Sequence, residues 1–275
     1  MIALLLAAQL AAAPPLPLKV ATYAYPKYDR AAALKPMADQ LGAALGRETQ
    51  VVLLETPDAL AQAIAAGEVD VAMTNLAAYL AVQAEPKVQA VVVLDVPPAT
   101  AGRYRGVLVA RRDAGVTAMA ELPEKAARLR YAEVLPGSTS GALVQAAALR
   151  AVGVTPGGFA QVTQAGTHEA ALAALRAGTA DLAALAEEPW RELKAENPKA
   201  AEGLVELWRS DPLPPGPVVC VRAPTTPCDE IGAVLLGDAA AAAADLAKGW
   251  SETEGAVRFK GYDAAPYRRF SAPIP

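Results

Sequence analysis

Histidine occurs once in this 275-residue chain, cysteine twice, and only 5% of the residues are aromatic. One histidine (His168) and two cysteines (Cys220 and Cys228) do not make the ligand set of a zinc site, so no metal is expected. Acidic residues outnumber basic ones, 29 to 25, and the net charge of −4 is spread without long runs. No basic stripe is present, which argues against a nucleic-acid partner. Neither Gly-x-Gly-x-x-Gly nor a P-loop lysine motif occurs, so no nucleotide cofactor is called for, and none of another kind. The one strongly apolar stretch at the start, residues 1–13, is too short for an ordinary transmembrane helix. It ends in Ala11-Ala12-Ala13 before Pro14-Pro15, as a signal peptide does, although no Lys or Arg precedes it. Either the start is misplaced or the signal is atypical, and residues 1–15 are the expected signal peptide. No Cys lies near that point to carry a lipid anchor. In an exported protein Cys220 and Cys228 could close a short loop, and inside a cell both would stay thiols.

What the chain does have is Ala, Leu and Val in quantity, 53% hydrophobic residues overall, enough for one large domain or two modest ones. It also has an internal repeat. Thr56-Pro57-Asp58-Ala59-Leu60 opens a helix that reaches Gly67, and the strand Val69-Asp70-Val71-Ala72-Met73 follows. At a constant offset of 111, Thr167-His168-Glu169-Ala170-Ala171 opens a helix that reaches Gly178, and Ala180-Asp181-Leu182-Ala183-Ala184 follows. The matched types have local reasons: Thr caps a helix start, an acid suits the first turn, and Gly ends a helix in a left-handed conformation. The same offset carries residues 19–23 onto 130–134 and 50–55 onto 161–166.

Each half therefore reads β-α-β-α-β, and the fold class is α/β: two similar Rossmann-like lobes, each with a largely parallel sheet, joined by two crossings. A helix is expected over residues 30–45, strands over 86–98, 106–112 and 218–222, and a largely helical stretch over 227–250. Pro212-Leu213-Pro214-Pro215-Gly216-Pro217 is a linker. The expected division is residues 16–112 plus 213–275 for lobe one and 113–212 for lobe two, with crossings near Arg111 and Pro214.

The chemistry concentrates at Pro136-Gly137-Ser138-Thr139-Ser140-Gly141, between a strand-like run at 129–135 and a helix-like run at 142–152. Free N–H groups and the positive end of a helix favour an anion there, although Ser and Thr before a helix are more often plain caps. Ligands of open parallel sheets bind beyond the carboxyl ends of the strands. That rule gathers Tyr25, Tyr28, Thr74 and Asn75 in lobe one, and Ser138, Thr139, Ser140, Gly141 and His168 in lobe two. His168 alone would be an ordinary surface histidine, and its place on the edge that carries the Ser-Thr-Ser loop makes it an anion ligand. A Ser/His hydrolase is the competing class, but Gly137-Ser138-Thr139-Ser140-Gly141 has Thr where a Gly-x-Ser-x-Gly elbow needs Ser, and no orienting Asp is evident. The chain is not expected to be an enzyme.

These residues resemble a known family. Gly137-Ser138-Thr139-Ser140-Gly141 is similar to the Gly-Ser-Thr-Ser-Gly signature of phosphonate/phosphite-type periplasmic binding proteins of ABC importers, and Thr167-His168-Glu169-Ala170-Ala171-Leu172 to their Ser-His-Glu-Ala-Ala segment. The segments Leu34-Lys35-Pro36-Met37-Ala38-Asp39-Gln40-Leu41, Gly67-Glu68-Val69-Asp70-Val71-Ala72 and Tyr104-Arg105-Gly106-Val107-Leu108-Val109 match in the same order. The resemblance implies a type II periplasmic binding protein, monomeric, that closes by a hinge on a small oxyanion (phosphonate, phosphite, phosphate ester or sulfonate) and delivers it to a membrane permease. Ser138, Thr139, Ser140 and His168 would hold the head group, with Tyr25, Thr74 and Asn75 answering from lobe one. Pro57 stands where phosphonate binders often have Tyr, so the substituent half of the site has changed. Glu187 and Glu188 fall where some members place an acid against a ligand amine, and a solvated helix start explains them equally well. A sensor of the same fold with no importer is the alternative.

Overall fold

The computed structural model describes residues 16–270. The expected signal peptide lies outside them. Within them no helix is long and apolar enough to cross a membrane.

The first lobe begins with β1 (Leu18–Tyr23), α1 (Arg30–Leu45), β2 (Thr49–Leu54), α2 (Pro57–Ala66), β3 (Val71–Met73), α3 (Leu76–Val82) and β4 (Val88–Leu94). A short α4 (Pro98–Ala101) lies in the first crossing. The second lobe holds β5 (Gly106–Arg111), α5 (Leu122–Lys125), β6 (Arg130–Glu133), α6 (Val144–Ala151), β7 (Gln161–Gln164), α7 (His168–Arg176), β8 (Leu182–Ala186), α8 (Glu187–Glu196), α9 (Pro198–Ala201) and β9 (Leu204–Arg209). The chain then returns to lobe one as β10 (Val218–Val221), α10 (Cys228–Leu236), α11 (Ala240–Ala247) and β11 (Phe259–Gly261). The sheet orders are β11-β4-β10-β3-β1-β2 and β7-β6-β8-β5-β9.

Strand alternation builds a core on both faces of each sheet. Leu18 and Val20 of β1 join one apolar cluster and Ala21 and Tyr23 the other. Val107 and Val109 of β5 face one cluster, and Leu108 and Ala110 the opposite one.

The repeat is a repeat of chemistry as well as of letters. Asp70 accepts the Lys19 backbone N–H at 2.8 Å, and Asp181 accepts that of Arg130 at 2.9 Å. Thr56 caps Ala59 N and Thr167 caps Ala170 N, both at 3.1 Å. Gly67 and Gly178 take the left-handed conformation, with φ of 78° and 71°. The registers correspond too: Lys19 pairs with Gln50 and Arg130 with Gln161, both in parallel.

Two expectations are corrected. β1, β2 and β3 run parallel in lobe one and β6, β7 and β8 in lobe two, but β10 in lobe one and β5 in lobe two are antiparallel to their neighbours, and so is the edge strand β11. β5 does not belong to lobe one, because it pairs with β8 and β9. The first crossing is therefore residues 95–105, and lobe two begins at Gly106 rather than at 113. The physical reason is burial on both faces: Val107 to Ala110 are almost wholly covered between two strands, which a place at the end of lobe one would not provide. The stretch 227–250 is largely helical as expected, in two helices separated at Gly237.

The two crossings run side by side. Ser210 N donates to Gly106 O at 2.9 Å, Gly106 N donates to Ser210 Oγ at 3.0 Å, and Leu213 N donates to Tyr104 O at 2.8 Å. The second crossing presses so tightly on the end of β3 that a Cβ on Gly216 would collide with the Thr74 carbonyl. Cys220 and Cys228 are joined in a disulfide, Cα to Cα 5.6 Å, which ties β10 to α10.

Candidate functional site

The Ser-Thr-Ser loop leaves β6 through Gly137, whose φ of 77° suits only glycine comfortably. Gly137 is also the point where the lobes touch, since a Cβ there would collide with Asp58 at the start of α2. The expected α-helix from residue 142 does not begin there. Residues Thr139–Leu143 form a wider π-helical turn, with Leu143 N donating to Ser138 O at 2.9 Å, and regular α-helix starts at Val144. Widened turns of this kind cluster at functional sites. They leave first-turn N–H groups without intrahelical acceptors.

The turn is held from beneath by Gln145, fully buried. Its Nε2 donates to Ser140 O at 2.7 Å, Val107 O at 3.0 Å and Leu185 O at 3.2 Å. One amide thus fixes the loop to β5 and β8. Gly141 lies under the loop, where a Cβ would collide with Val134 and come within 2.9 Å of His168 Cε1. Its role is to let the imidazole approach.

Ser138, Thr139 and Ser140 are all buried, with relative exposures of 8%, 1% and 1%. Thr139 Oγ1 accepts the backbone N–H of Ala77, in the first turn of α3, at 3.1 Å across the cleft. Ser140 Oγ makes no hydrogen bond of normal geometry among the described residues, and the Tyr104 phenol is its polar neighbour. An orphaned buried hydroxyl costs about 1–3 kcal/mol and is a position for a ligand acceptor. Beside these hydroxyls stands Tyr104, whose phenol burial pushes well above its ordinary pKa.

His168 is held by both lobes. Its backbone N donates to Tyr25 Oη at 3.2 Å. Its Nδ1 accepts the Ala186 backbone N–H at 2.9 Å, which leaves the imidazole proton on Nε2. Burial lowers its pKa to about 4, with Lys27 and Arg30 adding to the shift and Glu169 opposing it. The ring is a neutral donor at physiological pH. It cannot act as a base toward a serine through Nε2, because that nitrogen already carries the proton. This removes the hydrolase reading on chemical grounds.

Tyr25, Asn75, Ser138, Thr139, Ser140 and His168 line one cleft between the lobes, about 40 Å³ in volume. That is room for about three waters, or one compact anion in their place. Asn75 caps α3 by accepting from Ala78 N at 2.8 Å, and its Nδ2 donates to Gly137 O at 2.9 Å across the cleft. Two sequence-predicted residues are not in the lining. Gly141 lies beneath it, and Thr74 is fully buried with Oγ1 donating to Pro217 O at 2.6 Å. Thr74 serves the hinge. Tyr28 and Glu188 also line the cleft, whereas Glu187 pairs with Arg105 at 3.8 Å and with Arg209. Among the described residues no group of three or more His, Cys, Asp or Glu is placed to hold a metal ion.

The sequence reading missed Arg30, Gln145, Ser251 and Glu252. Arg30 opens α1 and lines the cleft. A cation in a first helical turn opposes the helix dipole, and that was the available signal. Ser251 and Glu252 come from the C-terminal segment, which only the return of the chain to lobe one brings near.

Two lobes, two crossings that run side by side and a cleft at the strand ends define the two-lobed solute-receptor class. The chain belongs to the family described as ABC transporter, phosphonate, periplasmic substrate-binding protein, which matches residues 23–261. Its members are substrate-binding proteins rather than enzymes, are periplasmic, and work with an ABC transporter. PhnD1 from Prochlorococcus marinus (MIT 9301), in complex with methylphosphonate, aligns at 18% identity and a TM-score of 0.66 over 92% of this chain and 95% of that one. XAC2383 from Xanthomonas citri, bound to chloride ion, aligns at 16% identity and 0.71 over 94% and 96%. A binding protein component of an ABC phosphonate transporter (PA3383) from Pseudomonas aeruginosa aligns at 17% identity and 0.65 over 94% and 84%. At these identities the likeness is one of fold. No curated protein sequence matches the chain.

Proposed function

We propose that the protein captures one small tetrahedral oxyanion, of the phosphonate or phosphite kind, in the cleft between its lobes and presents the closed complex to a membrane permease. The observation that carries this reading is the Ser140 hydroxyl, buried and without a hydrogen bond of normal geometry, on the π turn beside a neutral His168. The donors a bound anion would meet are the Ser138 and Ser140 hydroxyls, the N–H groups of the turn and the His168 Nε2–H. Thr139, Asn75 and Tyr25 already bridge the lobes, so they act as the latch. Capture begins on the lobe-two loop. Closure then makes the latch bonds and excludes water, which strengthens every hydrogen bond to the anion.

The cleft volume favours compact head groups with a small substituent, such as phosphite or methylphosphonate, over long alkyl sulfonates. The disulfide fits an exported receptor. The reading is tested by thermal denaturation of the purified protein with phosphite, phosphate, methylphosphonate, sulfate, alkyl sulfonates and neutral controls. A ligand that binds only the folded state raises Tm by mass action, and one compact oxyanion is expected to do so. No rise with any of them overturns the proposal.

A further inference from the structure

Arg30 is a buried cation that forms no direct ion pair among the described residues, with the Glu252 carboxylate acting on it through space. Its relative exposure is 4%. Nε donates to Gly249 O at 2.9 Å and Nη1 to Tyr23 O at 3.3 Å, both backbone carbonyls. The rings of Tyr23, Trp250 and Tyr25 stand 4.1, 4.4 and 5.0 Å from its Cζ. Its two hydrogen bonds to backbone engage Nε and Nη1 and go to neutral carbonyls. Taking a guanidinium out of water is costly unless an anion meets it, and ring faces offset only part of that cost. It also sits at the end of α1 where the helix dipole opposes a positive charge.

This guanidinium lines the cleft that holds Ser138, Ser140 and His168. Tyr25 connects the two sides, with its ring against Arg30 and its hydroxyl on His168 N. The other head-group donors are neutral: two hydroxyls, backbone N–H groups and an uncharged imidazole. Lys27, the other cation of the lining, is paired with Glu169 at 2.6 Å.

We infer that Arg30 is the specificity-determining contact of lobe one: its guanidinium meets the oxyanion held by the Ser138–Ser140 loop and favours a dianion over a monoanion of the same shape. The inference rests on the oxyanion reading above. Neutral donors gain from acceptor charge only through the short-range hydrogen bond, and a full positive charge gains from the total charge of the ligand as well. Glu188 and Glu252 line the same cleft and oppose any anion, a dianion more than a monoanion. A preference for two charges therefore has to come from direct contact with Arg30.

The test is calorimetric titration of the full chain with methylphosphonate and methanesulfonate at alkaline pH. The two ligands then share a shape and carry two charges and one. Wild type is expected to prefer methylphosphonate by about tenfold or more. Arg30→Met is expected to lose about a hundredfold toward methylphosphonate and less than about tenfold toward methanesulfonate, with Arg30→Lys between. Ser140→Ala, run in parallel, weakens both ligands by similar factors and leaves the ratio in place. An unchanged ratio in Arg30→Met with Ser140→Ala still weakened overturns the role of Arg30 alone. Equal wild-type affinity for the two ligands also overturns it. If wild type binds neither, the oxyanion reading falls and takes this inference with it. Melting temperatures without ligand show whether each variant folds. Should Arg30→Met not fold, the wild-type ratio and that of Arg30→Lys decide.

Discussion

Protonating His168 should be expensive, and the cost should be visible as lost stability in mild acid. Its Nδ1 accepts the Ala186 backbone N–H, so a second proton would set one N–H against another and leave a buried charge. Burial lowers the pKa from 6.5 to about 4. A depressed folded-state pKa means that the unfolded chain binds the proton more readily. Stability from this group is therefore present above 6.5 and is lost as pH falls through the window down to about 4. At about 1.4 kcal/mol per unit the loss is about 2–4 kcal/mol. Because His168 is the sole histidine, its imidazole signals in a nuclear magnetic resonance titration need no assignment. Denaturant unfolding of wild type and His168→Asn across the same pH range isolates its share from that of the carboxylates. The Asn side-chain oxygen can still accept the Ala186 N–H. Wild type should lose stability relative to the variant as pH falls. An imidazole that titrates near 6.5, or parallel pH profiles for the two proteins, would refute the buried neutral tautomer.

Burial raises the Glu252 pKa above the usual carboxylate range, with Arg30 opposing the shift. A raised folded-state pKa costs stability as pH climbs from the unfolded value through the folded one, so Glu252→Gln is expected to equal or exceed wild type in urea midpoint at neutral pH and to lose that advantage in acid. The same change removes a carboxylate from the cleft and should tighten anion binding several-fold in calorimetry. Reduction of Cys220–Cys228, which closes a loop with a sequence separation of 8, should lower stability by about 2–3 kcal/mol in denaturant titrations with and without reductant. Gly141→Ala should weaken anion binding at least tenfold, because the new methyl displaces His168 or Val134; unchanged affinity would show that the imidazole is no ligand.

The parts of this fold that the sequence announces are those set by local chemistry. Thr56 and Thr167 cap helices, Gly67 and Gly178 end them, and Asp70 and Asp181 take backbone N–H groups at the starts of equivalent strands. Each of these is decided within a few residues or by one strand pairing, so the two-lobed repeat is readable from letters alone. The Ser-Thr-Ser loop and His168 are readable for the same reason, since strand-end geometry brings them to one edge. What is not readable depends on partners far along the chain. The apolar β5 would suit either sheet, and only the pairing with β8 and β9 decides. Thr74 follows a strand that ends at the cleft, but the close passage of Pro217 turns its hydroxyl to the hinge. Arg30 reads as a surface charge until Gly249 and Trp250 return beside it. The π turn replaces the predicted helix start because Gln145 pulls the Ser140 carbonyl toward β5 and β8.

The central claim is that a compact oxyanion occupies the Ser138–Ser140 turn, and a crystal structure of the protein grown with methylphosphonate tests it most directly. The account predicts one tetrahedral anion in the cleft, within hydrogen-bonding distance of Ser140 Oγ and His168 Nε2, with the lobes closed as described. A fully occupied anion elsewhere, or a closed cleft with water alone at Ser140, would contradict it.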